Sequence, residues 1–417
     1  MNPSIAHFAR TAALGLLASL LSAGSSFAQN AGMQHEAPPP CAGGGLDCAS
    51  VVTPAFDPQG RLWLAWVAGG TVAIGKSGDH GAHVDPASIV ELGHYGSLMD
   101  RGGDARPQLL INAGGRAVLA WSVFKDKAYN AQIWISVSDR INAADGPAFS
   151  TPRLLDAQAV SQRFPSLAWS PNGRLFLAWL DKRRVAAAKL QGGSGVGANV
   201  ALAWSDDGGH HFSAPTLGEA SSCECCRIAM AMDAHDEPVI SFRAIFDEHV
   251  RDHALMRMSR HGEAFRDLIR VADDHWLIDG CPHHGPAIAV SGDGAVHVSW
   301  FTQGEHRQGV YYARLPAGAD QFEAPQEVGR ADQQAGRPTF QSLDAQLWLA
   351  WKEFDGERIV IKLRHSIDNG LHWQDDRIVA ETQHAADHPV LVREGRRVWL
   401  SWMTHDEGYR LIAIDTP

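Results

Sequence analysis

The chain has 417 residues and a formal net charge of −11 at pH 7, from 47 acidic and 36 basic residues. An acidic balance of this size argues against a nucleic-acid or anionic-membrane partner. After the N-terminal region no stretch approaches the roughly 20 apolar residues of a membrane helix, so we expect no membrane span.

The N-terminus predicts export. Arg10 precedes a short apolar run from Ala12 to Leu21, and Ser26-Phe27-Ala28 has the small-x-small pattern of a cleavage site. This pattern is typical of a secretory signal peptide over residues 1–28, so we expect a periplasmic or secreted protein in which disulfides can form. Residues 29–50 are rich in Gly, Pro and Ala and read as an arm or linker. The arm carries Met33, His35, Cys41 and Cys48.

The remainder, residues 51–417, is a repeat of short apolar segments that end in an aromatic residue. Successive end residues lie 51 to 63 positions apart, and turn signals usually precede each segment. Alternating strands with turns indicate antiparallel β-structure, and this period predicts a β-propeller of four-stranded blades. The seven terminal aromatics are Trp66, Trp121, Trp179, Phe242, Trp300, Trp351 and Trp402. The seventh unit lacks an outer strand, which the arm before Val51 could supply. No segment reads as a convincing amphipathic helix.

A second motif, Ser-x-Asp-x-Gly-x-x-aromatic, falls in the turn between the third and fourth strands of a unit. Asp can accept backbone N–H bonds within such a turn, and Gly permits a positive φ. Weaker copies begin at Ser77 and Ser259. The two complete copies consist of Ser205, Asp207, Gly209 and Phe212, and of Ser366, Asp368, Gly370 and Trp373.

With these motifs the chain resembles the Asp-box (BNR-repeat) propellers of the sialidase superfamily, over roughly residues 51–417. The resemblance implies a propeller, but this superfamily includes glycosidases and non-enzymatic binding proteins. Sialidases have six blades, whereas we count seven, so six blades remain the alternative. In such a propeller the connections between blades form one face, around a central channel, and the Asp-box turns lie on the other.

Two cysteine-containing stretches fall in adjacent inter-blade connections. Cys223, Cys225 and Cys226 precede the fourth unit, and Cys281 precedes the fifth in Cys-Pro-His-His-Gly, with His283 and His284. We expect these six residues to meet at the channel mouth. Thiolates and imidazoles suit copper and zinc, which predicts a metal site. Structural disulfides are the alternative, with Cys41 and Cys48 pairing separately and Cys223 or Cys225 linked to Cys281.

The resemblance also implies an alternative activity. A sialidase needs three arginines that clamp a carboxylate, a tyrosine nucleophile with a glutamate, and an aspartate as acid/base. Arg106, Arg163 and Arg337 could form the clamp, since a guanidinium binds a carboxylate bidentately, or they could pair with acidic residues at blade junctions. Tyr409 is the candidate nucleophile, with Glu353 and Asp104 as possible partners. The match to the family pattern is poor. We therefore favour metal or cofactor handling over glycoside hydrolysis, and a protein-interaction propeller is the third possibility.

Overall fold

A computed structural model of the chain describes residues 44–85, 89–143, 146, 148–193 and 197–414, and these residues form seven antiparallel sheets. The sheets follow one another along the chain as the blades of a β-propeller. The prediction of an all-β fold with seven blades is confirmed, and the six-blade alternative is not favoured. The predicted signal peptide and most of the arm lie outside the described residues.

Blades one to three are each four-stranded, with the strands paired in chain order. Blade one contains β1 (Val51–Phe56), β2 (Leu62–Ala68), β3 (Thr71–Ser77) and β4 (Val90–His94). Blade two contains β5 (Gln108–Ile111), β6 (Ala117–Phe124), β7 (Ala131–Ser138) and β8 (Arg153–Leu154). Blade three contains β9 (Gln162–Trp169), β10 (Leu175–Asp181), β11 (Ala198–Ser205) and β12 (Thr216–Ser222).

Blades four to six repeat this order, and blade seven has three strands in the described chain. Blade four contains β13 (Ala229–Met232), β14 (Pro238–Arg243), β15 (His253–Met258) and β16 (Phe265–Arg270). Blade five contains β17 (Ala287–Val290), β18 (Val296–Gln303), β19 (Gln308–Leu315) and β20 (Gln326–Arg330). Blade six contains β21 (Gly336–Leu343), β22 (Gln346–Phe354), β23 (Ile359–Ser366) and β24 (Arg377–Thr382). Blade seven contains β25 (Val390–Glu394), β26 (Arg397–Thr404) and β27 (Gly408–Ile414).

The aromatic residue that ends each repeat lies in the second strand of its blade and is almost completely buried. All seven, from Trp66 to Trp402, are at most 1% exposed. Since an aromatic side chain buries up to about 250 Å², these residues dominate the packing between neighbouring blades. The aromatic residues that recur along the sequence are therefore the ones that recur in the buried core of each blade.

The ring closes without a fourth strand from the described part of the arm. Leu46–Cys48 forms a 3-10 helix that contacts β2 and β27, while β1 and β25 contact each other directly. The expectation that the arm completes blade seven is wrong for these residues. The chain here is a single tight turn, and it is held by a disulfide at Cys48 rather than by strand pairing.

One α-helix, α1 (Arg183–Leu190), lies between β10 and β11 of blade three. This helix could not be predicted from the sequence, because none of its residues is buried and a helix without an apolar face lacks the periodic signal. Apart from α1, the described residues contain only short 3-10 helices, and none of the helices is long and apolar enough to cross a membrane.

The predicted Asp-box turns have the expected hydrogen bonds. In the first complete copy, Ser205 Oγ donates to Asp207 Oδ1 (2.7 Å), and the backbone N–H of Gly209 donates to Ser205 Oγ (2.8 Å). The second copy repeats both bonds at Ser366, Asp368 and Gly370. The aromatic residues Phe212 and Trp373 pack back on the hydrophobic core, as expected.

Two inner strands contain a β-bulge at a residue that is followed by proline. In β9 and β21 the register shifts at Phe164-Pro165 and at Arg337-Pro338. Phe164 and Arg337 both have positive φ, at 55° and 59°. A bulge re-aims the side chain next to it, and in β21 the re-aimed side chain is Arg337, which reaches Asp104.

Candidate metal centre

The cysteine turn, Cys223–Cys226, follows directly after β12 and leads into blade four. Its three sulfurs are close together: Cys223 Sγ lies 3.3 Å from Cys225 Sγ and 3.8 Å from Cys226 Sγ. The three side chains are at most 3% exposed. The turn is fixed to blade four because the Cys223 N–H donates to the carbonyl of Arg243 (2.8 Å). We call these three thiols the inner set.

A second set overlaps the first at one residue. The ligand atoms of Cys225, Cys281 and His283 all lie within 4.8 Å of one another, as do those of the inner set. Cys281 and His283 are exposed, and they belong to the connection that leads into blade five. We call this second group the outer set. The two inter-blade connections thus bring thiols and an imidazole close together, and five of the six predicted ligands lie in two overlapping groups rather than in one.

His284 belongs to neither set. Its ring stacks on Phe301 with the ring centroids 4.0 Å apart, and its Nδ1 is buried without a hydrogen-bond partner. Burial, followed by the charges of Arg337 and Arg243, lowers the pKa of His284 well below its usual value. This imidazole is therefore neutral and is packed against blade five.

All four cysteines of the two sets carry free thiols. The disulfide between Cys223 or Cys225 and Cys281, which the structural alternative required, is not formed in this structure. Cys48 is disulfide-bonded, and Cys41, the partner that the sequence suggested, lies outside the described residues.

Two buried arginines contact the cysteine turn, and the sequence did not point to them. Arg251 Nη1 lies 3.4 Å from Cys223 Sγ and also donates to the carbonyl of Gly280 (2.6 Å), which joins the inner set to the loop that carries Cys281. Arg243 donates to the carbonyls of Arg251 and His284. Arg243 ends β14, whose sequence reads only as a core strand, and Arg251 lies in the loop before β15, so no local pattern marked them.

This environment favours negative charge on one sulfur. Hydrogen bonds from the thiols of Cys225 and Cys226, with a further contribution from the charge of Arg243, lower the pKa of Cys223. Its neighbours respond in the opposite direction: the hydrogen bond to Cys223 raises the pKa of Cys225, and burial raises the pKa of Cys226. Among the three sulfurs, negative charge is therefore most favourable on Cys223, which lies beside two thiols and the guanidinium of Arg251.

The arginines that could form a carboxylate clamp are engaged by acidic residues of the protein. Asp104 accepts hydrogen bonds from Arg337 (2.7 Å) and from Arg227 (3.2 Å). Arg227 also donates to the carbonyls of Pro286 and Pro338, so it ties blades four, five and six together. The sequence suggested Arg337 and Asp104 for this region but assigned Arg227 no role in the clamp.

The other two clamp candidates have their own partners. Arg106 pairs with Asp387 (2.8 Å), and Arg163 pairs with Asp100 (2.7 Å). Arg163 also lies over the ring of Phe164, at 4.3 Å from its centroid. The three arginines therefore pair with acidic residues, as the alternative to a carboxylate clamp expected.

The predicted nucleophile and its glutamate are placed elsewhere. The Tyr409 hydroxyl accepts a hydrogen bond from Ser401 (3.0 Å), and its ring packs at Gly81, in an Asp-box turn, so burial raises its pKa. Glu353 accepts a hydrogen bond from Trp351 Nε1 and pairs with Lys362. Neither residue has an observed contact with the clamp arginines.

A cleft of about 530 Å³ opens beside the outer set. Cys281 and Arg251 line one side, and residues of α1, including Lys182 at its N-terminal end and Ala186, line another. Lys182 pairs with Glu224 of the cysteine turn (2.5 Å), which holds α1 next to the thiols. The cleft is therefore open to solvent and in direct contact with an exposed sulfur.

Comparisons with known proteins identify the fold but no family. No family model matches the sequence, and no curated protein matches it. Among solved structures, an ulvan lyase described as a new family of polysaccharide lyase matches with a TM-score of 0.56 at 12% identity, covering 89% of this chain and 96% of that one. The polysaccharide lyase Uly1 matches with a TM-score of 0.53 at 10% identity, covering 88% and 90%.

A microbial sialidase is also similar, with a TM-score of 0.48 at 14% identity and coverage of 85% of this chain and 76% of that chain. At these identities the likeness concerns the propeller fold alone, because propellers host many unrelated activities. The β-propeller fold that the Asp-box turns indicated is thus supported by the two lyase structures.

Proposed function

We propose that this protein is an exported β-propeller that binds a thiophilic metal ion at its channel mouth, and that copper(I) is its preferred ion. The observation that supports the proposal best is the pair of overlapping ligand sets. The inner set has three buried sulfurs, and one of them, that of Cys225, also belongs to the outer set with an exposed thiol and an exposed imidazole. Export rests on the signal-peptide pattern of residues 1–28.

The chemistry of the donors fits a soft cation. Thiolates select copper(I), zinc and iron–sulfur clusters, whereas hard cations prefer oxygen ligands. Three thiolates around a monovalent ion would carry a net charge of −2, which is unfavourable in a buried site unless it is compensated. The guanidinium of Arg251 lies against Cys223, and Arg243 lies next to it, so compensating charge is already in place.

Ligand number favours copper(I) over zinc. Structural zinc sites are almost always tetrahedral with four protein ligands. Among the described residues the atoms that converge on one point come in threes, and the two sets do not merge into a group of four. A three-coordinate soft ion matches the number of sulfurs in the inner set.

The test is a competition titration of the reduced protein with copper(I) and zinc(II) against chromogenic chelators. We expect one copper(I) per chain, bound about 100-fold or more tightly than by the Cys225→Ser/Cys226→Ser variant, which corresponds to roughly 2.7 kcal/mol. Ser221→Ala, near the end of β12 just before the cysteine turn, is the matched control and should bind as the wild type does. Equal binding by the double variant and the wild type, or native protein with all four cysteines in disulfides, would refute a metal site here.

Glycoside hydrolysis is the weaker candidate, because all three clamp arginines are paired within the protein and Tyr409 is buried against Ser401. We expect no turnover of an aryl sialoside. Robust turnover that disappears in Tyr409→Phe or Arg337→Ala would favour the glycosidase over the metal-binding protein.

A further inference from the structure

We propose that the outer set is the entry point for the ion and the inner set its final position, with Cys225 as the ligand common to both. This inference rests on the proposed function and adds a route to it. The two sets differ in accessibility: Cys281 and His283 are exposed, whereas Cys223 and Cys226 are at most 1% exposed. An ion in solution therefore meets the outer set first.

The cleft gives the outer set a docking space. Cys281 lies in its wall, and about 530 Å³ is enough to hold a small metal complex rather than a bare ion. The donor that fits is a labile copper(I) complex whose ligands can be exchanged one at a time for Cys281 and His283. The wall carries three basic side chains, Lys182, Lys189 and Arg251, against two acidic ones, Glu224 and Asp279, so its net charge is +1 and favours an anionic complex.

Transfer between the sets is a ligand exchange that needs no oxidant or reductant. Bonds from copper to Cys223 and Cys226 form while the bonds to Cys281 and His283 break, and the bond to Cys225 is kept. Copper remains monovalent throughout. The proton that leaves the Cys226 thiol is balanced by one taken up at the released Cys281 thiolate or, through solvent, by buffer.

The inner set should hold the ion more tightly than the outer set for two reasons. It supplies three sulfurs instead of two sulfurs and one imidazole nitrogen, and a soft ion prefers sulfur. It also excludes water, and the adjacent Arg251 offsets the charge. The direction of transfer therefore follows from the ligands and needs no moving domain.

The experiment follows loading by stopped flow, with the anionic bis-bicinchoninate complex of copper(I) as the donor and equilibrium affinity measured on the same samples. We expect Cys281→Ser and His283→Ala to slow loading about tenfold or more while equilibrium affinity changes less than about threefold. Cys226→Ser should instead keep the fast first phase and lose about 100-fold in affinity. His261→Ala, an exposed histidine in a turn of blade four, is the control and should change neither quantity.

Two results would overturn the route while leaving metal binding intact: wild-type loading rates in Cys281→Ser, or two copper ions bound independently per chain. Absence of copper binding by the wild type would instead remove the proposed function itself. Thermal unfolding of each apo variant separates a ligand effect from a folding defect. A variant that unfolds like the wild type and still loads slowly supports the route.

Discussion

Arg251 Nη1 lies 3.4 Å from Cys223 Sγ and 2.6 Å from the carbonyl oxygen of Gly280, so one guanidinium bridges the two connections that carry the cysteines. This contact couples the charge of the inner set to the position of the Cys281 loop. The effect of the Arg251 charge can be measured apart from that of its packing, because a neutral side chain of similar length would keep much of the packing and lose the charge.

We therefore expect Arg251→Met to weaken copper(I) binding about tenfold, because loss of one charge-assisted hydrogen bond costs about 1.5 kcal/mol or more. The same chelator competition measures it. Arg257→Met, on β15 of the same blade and paired with Asp267 at 3.8 Å, is the control and should leave affinity unchanged. Equal losses in the two variants would mean that the charge of Arg251 has no special effect on the site.

Asp104 should be important for stability, because it is the shared acceptor of Arg227 and Arg337 at the centre of the ring. We expect Asp104→Asn to lower the free energy of unfolding by about 3 kcal/mol, since removing one partner leaves the others buried without compensation. Denaturant unfolding measures this change. Asp332→Asn, at an exposed pair with Arg330, should cost less than about 1 kcal/mol.

Much of this architecture could be predicted from the sequence. The Trp66-to-Trp402 repeat is visible because each blade buries one large aromatic residue at the same strand position. Adjacent blades start on the same face, so the connections at Cys223 and Cys281 were expected to meet, and they do. In both cases repeated local patterning determines the result.

The parts that escaped prediction depend on side-chain direction. His283 and His284 are neighbours in sequence, yet one joins the outer set and the other stacks on Phe301. Arg251 reaches the sulfurs from a loop of blade four with no motif around it. No periodicity encodes which way a loop side chain points. Tyr409 lies in β27, and its ring packs against an Asp-box turn rather than near the clamp arginines.

The Asp-box glycine at position 370 should tolerate no side chain. Gly370 has a φ of 76°, and a Cβ atom there would come within 2.3 Å of the Tyr312 hydroxyl oxygen. Gly356 also has a positive φ, 101°, but no atom lies within 4 Å of an added Cβ. We expect Gly370→Ala to be about 2 kcal/mol more destabilising than Gly356→Ala, the excess being overpacking. Equal costs would mean that only the backbone conformation matters.

The buried His297 should make stability depend on pH. Burial lowers its pKa to about 3, from 6.5, and its ring bonds Ser291 and Tyr312. The stability that such a histidine contributes is complete above its pKa in the unfolded chain, about 6.5. It is lost as pH falls from about 6.5 towards 3, because in this range the unfolded chain takes up a proton that the folded chain does not. The slope from this one group approaches about 1.4 kcal/mol per pH unit.

Denaturant unfolding between pH 4.5 and 8 tests this expectation. His297→Gln should have a lower free energy of unfolding than the wild type at pH 8. Its free energy of unfolding should fall less steeply on acidification, because near pH 5 its unfolding takes up about one proton fewer. His372→Gln, at an exposed histidine in an Asp-box turn, is the control and should keep the wild-type slope. Identical slopes in the wild type and His297→Gln would contradict the assignment of this proton to His297.

Copper(I) loading should stabilise the fold, because the folded chain buries the three thiols of the inner set beside Arg251 and should therefore bind the ion more tightly than the unfolded chain does. Binding to the folded state alone adds about 4 kcal/mol when free ligand is 1,000 times its dissociation constant. We therefore expect loaded protein to unfold at a clearly higher temperature than apo protein, and a chelator that removes the ion should reverse the shift.

Cys226→Ser should lose most of the shift, because it removes a buried ligand of the final position. Cys281→Ser should retain the shift once loading is complete, because Cys281 serves entry rather than retention. Differential scanning calorimetry under reducing conditions, after equilibration with a copper(I)-buffering chelator, measures all three proteins. A shift that disappears equally in Cys226→Ser and Cys281→Ser would mean that the ion sits between the two sets rather than within the inner one.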